Sequence, residues 1–400
     1  MKKIILILQC LLVSAILLLL CSCANQTQSI TKKQLAAPAS SINHIALLLP
    51  LSGSYAPYGT AIRDGFLTAY NDQKNHGGLA SAITIYDTNG KNIDAVMQTA
   101  IAQGADFIVG PLDKAAVSTL AEQRTSTVPI LALNTIPNTA HVSNDALFQF
   151  GLSPDNEAQQ VAQKAWQDQH HNIIILAPNN PSGQRAVNAF STQWKAYGGN
   201  IVATQYYSNM ASLSKNISGV LHINNAYQNA RKLKNMFHEN MRFIPERRHD
   251  FDSIFLVATP AMGRQIQPLL HFYFVGNTPV YATSLIYSGI PDAARDTDLD
   301  GIFFCDMPWI VAPTQMQPAN LQYLKQMIQS QFPETATHFS KFYAMGIDAF
   351  NLVFQLRNMQ SNAQYPVSAA TGTLFLTPQR VIYRQLTWSQ FQNGQPRLVN

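Results

Sequence analysis

Short apolar runs alternate with segments of helical spacing along the first part of this sequence. The predicted elements are, in order, a strand at 44–49, a helix at 59–73, a strand at 82–86, a helix at 93–103, a strand at 106–109, a helix at 115–124 and a strand at 129–133. Short buried strands that alternate with amphipathic helices are typical of a parallel sheet with helices on both faces. The pattern therefore predicts an α/β lobe.

The same alternation resumes after Gly151 and predicts a second α/β lobe. Its elements are a helix at 154–169, strands at 173–177, 201–206 and 252–258, and helices at 184–197 and 261–273. Strands at 279–282 and 302–305, a helix at 340–356 and a β-hairpin at 372–388 follow. Because these come after two similar lobes, we expect the chain to cross between the lobes more than once. The predicted first lobe is about 43–150, 277–308 and 338–358, and the second is about 151–276, 309–337 and 359–400.

The amino terminus has the pattern of an export signal. Lys2 and Lys3 precede a mostly apolar segment at 4–20, as in secretory signal peptides. A retained transmembrane anchor is the alternative, but this segment lies at the low edge of the length that spans a bilayer.

The residues after the apolar segment favour lipidation. Leu20-Cys21-Ser22-Cys23 resembles the lipobox of bacterial lipoproteins. We therefore predict a signal peptide at 1–22, a lipid on Cys23 and a flexible, polar tether over 23–42. The next residue is Ala24 rather than Asp, and the resemblance to bacterial lipoproteins then implies the outer membrane, on its periplasmic side.

Composition excludes several classes of protein. Hydrophobic residues make up 46% of the chain and aromatic residues 10%, which argues against disorder. Only 12% of residues are charged and the formal net charge is +5. Without Lys2 and Lys3 it is +3, so no long basic surface for nucleic acid is expected.

Residues that could carry catalysis are scarce. Four cysteines occur, at positions 10, 21, 23 and 305, and Cys305 lies in an apolar run that predicts a buried structural thiol. Nucleophile-elbow, zinc-protease and phosphate-loop motifs are absent from the sequence. We predict no catalytic residues, no metal and no cofactor.

Nine long segments resemble one known family. They include IALLLPLSGSYAPYGTAIRDGF at 45–66, VGPLDKAAV at 109–117, FLVATPAMGRQIQPLLHFYF at 255–274 and DLDGIFFCDMPW at 298–309. These segments resemble the carboxy-terminal domain of the LpoA family, lipoprotein activators of class A penicillin-binding proteins. The resemblance covers residues 45–399. Family members carry a helical-repeat domain ahead of this one, whereas about 20 tether residues precede Ile45 here.

The resemblance implies a fold and a function. The implied fold is α/β of the type I periplasmic-binding-protein kind, with two Rossmann-like lobes, a central cleft and several interlobe crossovers. The implied function is that of a non-catalytic outer-membrane lipoprotein that binds and stimulates a class A penicillin-binding protein during peptidoglycan synthesis. A membrane-tethered receptor for an amino acid or a peptide-like solute is the alternative.

Open α/β sheets bind ligands beyond the carboxyl ends of their strands, and this rule selects a candidate cleft. The residues that it selects, together with nearby tyrosines as apolar walls, are Ser52, Ser54, Tyr55, Tyr58, Pro111, Asn134, Thr135 and Tyr287. Helix caps and turns are the alternative role for the serines and Asn134.

A charged cluster at 245–250 holds a second candidate site. Arg247 and Arg248 could form a docking patch or clamp the two lobes through Arg–carboxylate pairs. A solvated loop is the alternative.

Overall fold

The computed structural model describes residues 42–77, 80–123, 126–137, 142–237, 246–362 and 364–399. Five parallel strands form its first sheet. The strands are β1 His44–Leu49, β2 Ala82–Asp87, β3 Phe107–Val109, β4 Ile130–Ala132 and β5 Leu147–Gln149, in the order β2-β1-β3-β4-β5. Helices α1 Ala56–Gly77, α2 Ile93–Ala102 and α3 Lys114–Glu122 connect them. β1 is buried from Ile45 to Leu49, as expected for a central parallel strand.

Within the described ranges the second sheet has seven strands. They are β6 Asn172–Pro178, β7 Asn200–Tyr207, β8 Ser253–Leu256, β9 Val280–Ala282, β10 Phe303–Asp306, β14 Thr387–Gln392 and β15 Gln395–Leu398. Their order is β15-β14-β10-β9-β8-β6-β7, and β14 pairs antiparallel with β10. The helices of this lobe are α4 Pro154–Gln167, α5 Pro181–Ala196, α6 Met210–Val220, α7 Ile223–Phe237, α8 Pro260–Phe272 and α9 Ala293–Asp296.

In the part of the chain that the structure describes, three connections join the lobes. The first runs from β5 to α4, and the second contains α10 Pro308–Val311, α11 Ala319–Gln331 and α12 Ser340–Ser361. The third carries a small antiparallel sheet of β11 Val367–Ala369, β12 Gly372–Leu376 and β13 Ile382–Gln385. Since β5 and β10 leave their sheets at carboxyl ends, those ends of the two sheets face the connections.

The predicted division into lobes needs three corrections. β9 and β10, within 277–308, belong to the second sheet rather than the first, because β9 pairs with β8 and β10 pairs with β9. α11, within 309–337, packs on α1 of the first lobe, where Tyr323 meets the His76 ring at 6.5 Å. Within 359–400, β11–β13 form a separate sheet, and only β14 and β15 join the second lobe.

Helices α1 and α12 pack closely because of two glycines. A Cβ on Gly65 would lie 2.2 Å from the Tyr343 carbonyl oxygen, and one on Gly346 would lie 2.1 Å from the Ile62 carbonyl oxygen. The two backbones therefore touch, which fixes α12 against the first lobe.

Several predictions concern residues outside the described ranges: the signal peptide at 1–22, the lipid on Cys23 and the tether up to residue 41. Residues 43–400 form one compact unit. Within the ranges that the structure describes, no helix has the length and apolarity needed to cross a membrane.

Candidate functional site

A cavity of about 680 Å³ opens at the carboxyl ends of the first four strands of the first lobe. Tyr55, Tyr58 and Asn134 line it, as do Lys114 at the start of α3 and Phe342 on α12. Tyr58 packs on Phe342 with ring centroids 4.9 Å apart. Aromatic walls beside a lysine suit a small ligand with an apolar part and an anionic group. The small-molecule site stays a prediction.

The predicted serines and their neighbours serve the loops themselves. Ser52 Oγ donates to Asp87 Oδ2 at 2.6 Å, and this bond, with those from backbone amides, lowers the pKa of Asp87 to about 2. Ser54 is exposed in the turn before α1. Ser52 and Ser54 therefore belong to turns, which is the alternative role that the sequence allowed for them.

Hydrogen bonds join the loops that follow β3 and β4, and they involve Pro111, Asn134 and Thr135. Asn134 Nδ2 donates to the Leu112 carbonyl at 2.9 Å, and its Oδ1 accepts from the Thr135 amide at 2.9 Å. The Pro111 carbonyl accepts from the Leu133 amide at 2.9 Å. These bonds hold the ends of β3 and β4 together beneath the cavity.

Tyr287 does not line the cleft, and that prediction was wrong. The 3-10 turn at Ser284–Ile286 directs the chain back over the second sheet. Tyr287 is buried there between Phe304 and Phe391, each with its ring centroid 5.8 Å away. It belongs to the core of the second lobe.

Arg247 and Arg248 do not clamp the lobes together. Arg247 Nε donates to the Phe274 carbonyl at 2.9 Å, and Arg248 forms a bidentate pair with Asp250 at 2.7 Å. These partners all belong to the second lobe, because the loop returns directly to the start of β8. The docking role stays a prediction.

The interlobe ion pair comes from residues that the sequence did not single out. Lys341, in the first turn of α12, lies 2.9 Å from Asp306 Oδ2 at the end of β10. Lys341 Nζ donates a hydrogen bond to Ser284 Oγ at 2.9 Å. The Ser284 amide in turn donates to Glu157 Oε2 at 3.2 Å. Burial raises the pKa of Asp306 to about 6, although Lys341 acts in the opposite direction.

Arg384 on β13 completes this network between the lobes. Its Nε donates to the Gly151 carbonyl at 3.0 Å, and its Nη2 lies 3.8 Å from Glu157 Oε1. Asp348 on α12 accepts from the amides of Ala370 and Thr371 at 2.9 and 2.7 Å. Burial raises the pKa of Asp348 to about 6 as well.

A sequence signal for this network does exist. Asp306 and Asp348 are single carboxylates inside the apolar segments 302–309 and 343–352, and charged side chains are seldom buried without a partner.

Neighbouring Cys305 is buried, as predicted, and burial raises the pKa of its thiol well above the ordinary value. Among the described residues, no group of three or more His, Cys, Asp or Glu side chains is placed to hold a metal.

A family model described as "LppC putative lipoprotein" matches residues 25–394. The chain belongs to the LppC family. The predicted resemblance is confirmed by a Vibrio antiquarius protein named "Penicillin-binding protein activator LpoA", which is 30% identical over 355 residues. The match covers 87% of this chain and 57% of that relative, so the chain spans a little over half the length of the curated relatives that it matches.

Solved structures of LppC-family proteins share the fold. The C-domain of Haemophilus influenzae LpoA, titled a regulator of PBP1A, superposes with a TM-score of 0.67 at 26% identity. That match covers 90% of this chain and all of the C-domain. Full-length Haemophilus influenzae LpoA gives a TM-score of 0.69 at 25% identity, with 59% of it covered. A Rhodopseudomonas palustris solute-binding protein shares the fold alone, at 13% identity and a TM-score of 0.56. The predicted two-lobed periplasmic-binding-protein fold is confirmed.

Proposed function

We propose that this protein binds a class A penicillin-binding protein and stimulates its synthesis of peptidoglycan. The observation that carries the proposal is the match to the whole C-domain of a protein named as a regulator of PBP1A. The relatives named as penicillin-binding protein activators support it, since the match covers 87% of this chain.

The proposed role is regulatory rather than catalytic. Ser52 and Asn134, which follow strands of the first lobe, are hydrogen-bonded within the loops. Cys305 is buried as a thiol of raised pKa, and a nucleophile must be an exposed thiolate. What the domain offers a partner is a shaped surface on two lobes held in a set orientation by the Lys341 and Arg384 contacts.

Addition of the purified chain to the purified synthase of the same organism is expected to raise glycan polymerisation or peptide cross-linking. The measurement is product formation from lipid II as the concentration of this protein increases to tens of micromolar. The chain alone, incubated with lipid II, serves as the control and is expected to form no product. Unchanged synthesis together with no detectable binding would refute the proposal.

We further propose that Cys23 carries the lipid and places the domain at the periplasmic side of the outer membrane. Membership of a lipoprotein family supports this, and several acyl chains together anchor a protein stably. Cys23→Ser is expected to move the protein to the soluble periplasmic fraction and to abolish fatty-acid labelling, whereas Cys21→Ser is expected to label as the parent does. Labelling of the Cys23→Ser protein would contradict the assignment.

A further inference from the structure

Helix α7 is an amphipathic helix that lies largely exposed on the second lobe. Of its residues, Ile223 is buried, while Leu233 is 45% and Phe237 61% exposed. Ile223, Ala226, Ala230, Leu233 and Phe237 follow the spacing of one helical face,. This face is therefore buried at Ile223 and exposed towards Phe237.

The same helix carries positive charge with no compensating acid of its own. Arg231, Lys232 and Lys234 are exposed, and the sequence 223–237 contains no Asp or Glu. In a chain with only 12% charged residues, three cations within four positions are a distinct feature. A complementary partner would present carboxylates beside an apolar groove.

Helix α7 is anchored to the second lobe at its amino-terminal end. The base of α7 is tied to the segment before β8, because the Arg248 amide donates to the Leu221 carbonyl at 3.1 Å. This places α7 at the amino ends of the second-lobe strands.

We propose that α7 docks its apolar face into a groove bordered by acidic side chains on the class A synthase. The inference rests on the proposed function and assigns its contact surface. Anchors spaced as Ala226, Ala230, Leu233 and Phe237 are typical of helices that bind in grooves. An anionic lipid surface fits less well, since the first half of the polar face is uncharged, with Asn224, Asn225, Gln228 and Asn229.

The test measures the Kd between the full chain in detergent and the purified synthase. Leu233→Ser/Phe237→Ser is expected to weaken binding at least tenfold, because buried anchors dominate interface energetics. Phe272→Ser is the matched control: this Phe is 71% exposed and is also the last residue of a second-lobe helix. It is expected to change Kd less than twofold. The melting temperatures of both variants should match the parent, since the replaced side chains are exposed.

Charge gives an independent readout. Lys234, four residues after Ala230 and three before Phe237, borders the apolar face. Lys234→Glu is expected to weaken binding more at 50 mM than at 300 mM salt, because salt screens exposed charges. Equal affinity of the double variant and the parent would overturn the α7 assignment and leave the proposed function standing. Equal weakening by Phe272→Ser would also overturn it. If the parent does not bind the synthase, both proposals fail. Loss of binding to phosphatidylglycerol vesicles with unchanged synthase binding would show a lipid surface instead.

Discussion

Replacement of Arg384 by methionine is expected to lower the free energy of unfolding by about 3–5 kcal/mol. Arg384 is only 1% exposed, and its guanidinium faces Glu157 while also favouring the ionised form of Asp348. Removal of one partner of a buried charge cluster leaves the others uncompensated, and such losses are typically of this size. Methionine keeps most of the volume, so the loss reports charge and hydrogen bonding more than a cavity.

The loss is expected to be larger at pH 8 than at pH 5. Burial raises the pKa of Asp348 to about 6, above its value in the unfolded chain. The cost of ionising this carboxyl in the folded protein is therefore absent at low pH and complete above its folded pKa. Without Arg384 that pKa rises further, which increases the cost at pH 8.

Urea unfolding at the two pH values measures both effects. Arg397→Met is the control, because Arg397 is exposed on β15, and its substitution should change stability by no more than about 0.5 kcal/mol. If Arg384→Met costs no more than Arg397→Met, or if its cost falls as the pH rises, the account of the interlobe network is wrong.

Gly346→Ala is expected to destabilise the protein by about 3 kcal/mol. The added Cβ would lie 2.1 Å from the Ile62 carbonyl oxygen, which is backbone and has no rotamer to change. Helices α1 and α12 would have to separate, and overpacking of this kind typically costs about 1–3 kcal/mol. Because α12 also carries Lys341 and Asp348, the shift would disturb the contacts between the lobes.

A second helical glycine provides a control of opposite sign. Gly219 lies in α6, and a Cβ there would meet nothing within 4 Å. Gly219→Ala is expected to be neutral or to stabilise by up to about 1 kcal/mol, because alanine favours helix more than glycine does. Thermal melts of the two variants should therefore shift in opposite directions. Shifts of equal size and sign would contradict the backbone-contact explanation.

The amino-acid pattern predicts most of the elements because burial in a parallel sheet demands continuous apolar strands. The predicted strand at 44–49 coincides with β1 His44–Leu49, and the helix predicted from 340 begins there as α12. β5 Leu147–Gln149 was missed, since its short apolar run is interrupted by the polar Gln149, whereas the equally short β3 and β4 are wholly apolar. Helix α7, with its clear amphipathic spacing, was also missed although its pattern is present in the sequence.

The candidate site was predicted less well than the fold. Tyr55, Tyr58 and Asn134 do line one cavity, because the rule that places ligand sites beyond parallel strand ends depends only on element order. Tyr287 and the Arg247–Arg248 pair follow turns whose direction no local pattern specifies. Tyr287 is buried in the second-lobe core, and the two arginines bond to residues of the second lobe.

By itself, the sequence determined the α/β class, the two lobes and the family of this protein, because periodicity and long ordered segments are local properties of a chain. Only the tertiary structure decided which lobe received β9 and β10, and which charges met between the lobes. Glu157, Asp306, Lys341 and Arg384 are far apart along the chain, and each alone could have been a surface residue. They form one network, buried at Asp306 and Arg384, because three connections bring their elements to the same carboxyl-end edge, where desolvation makes each charge depend on the others.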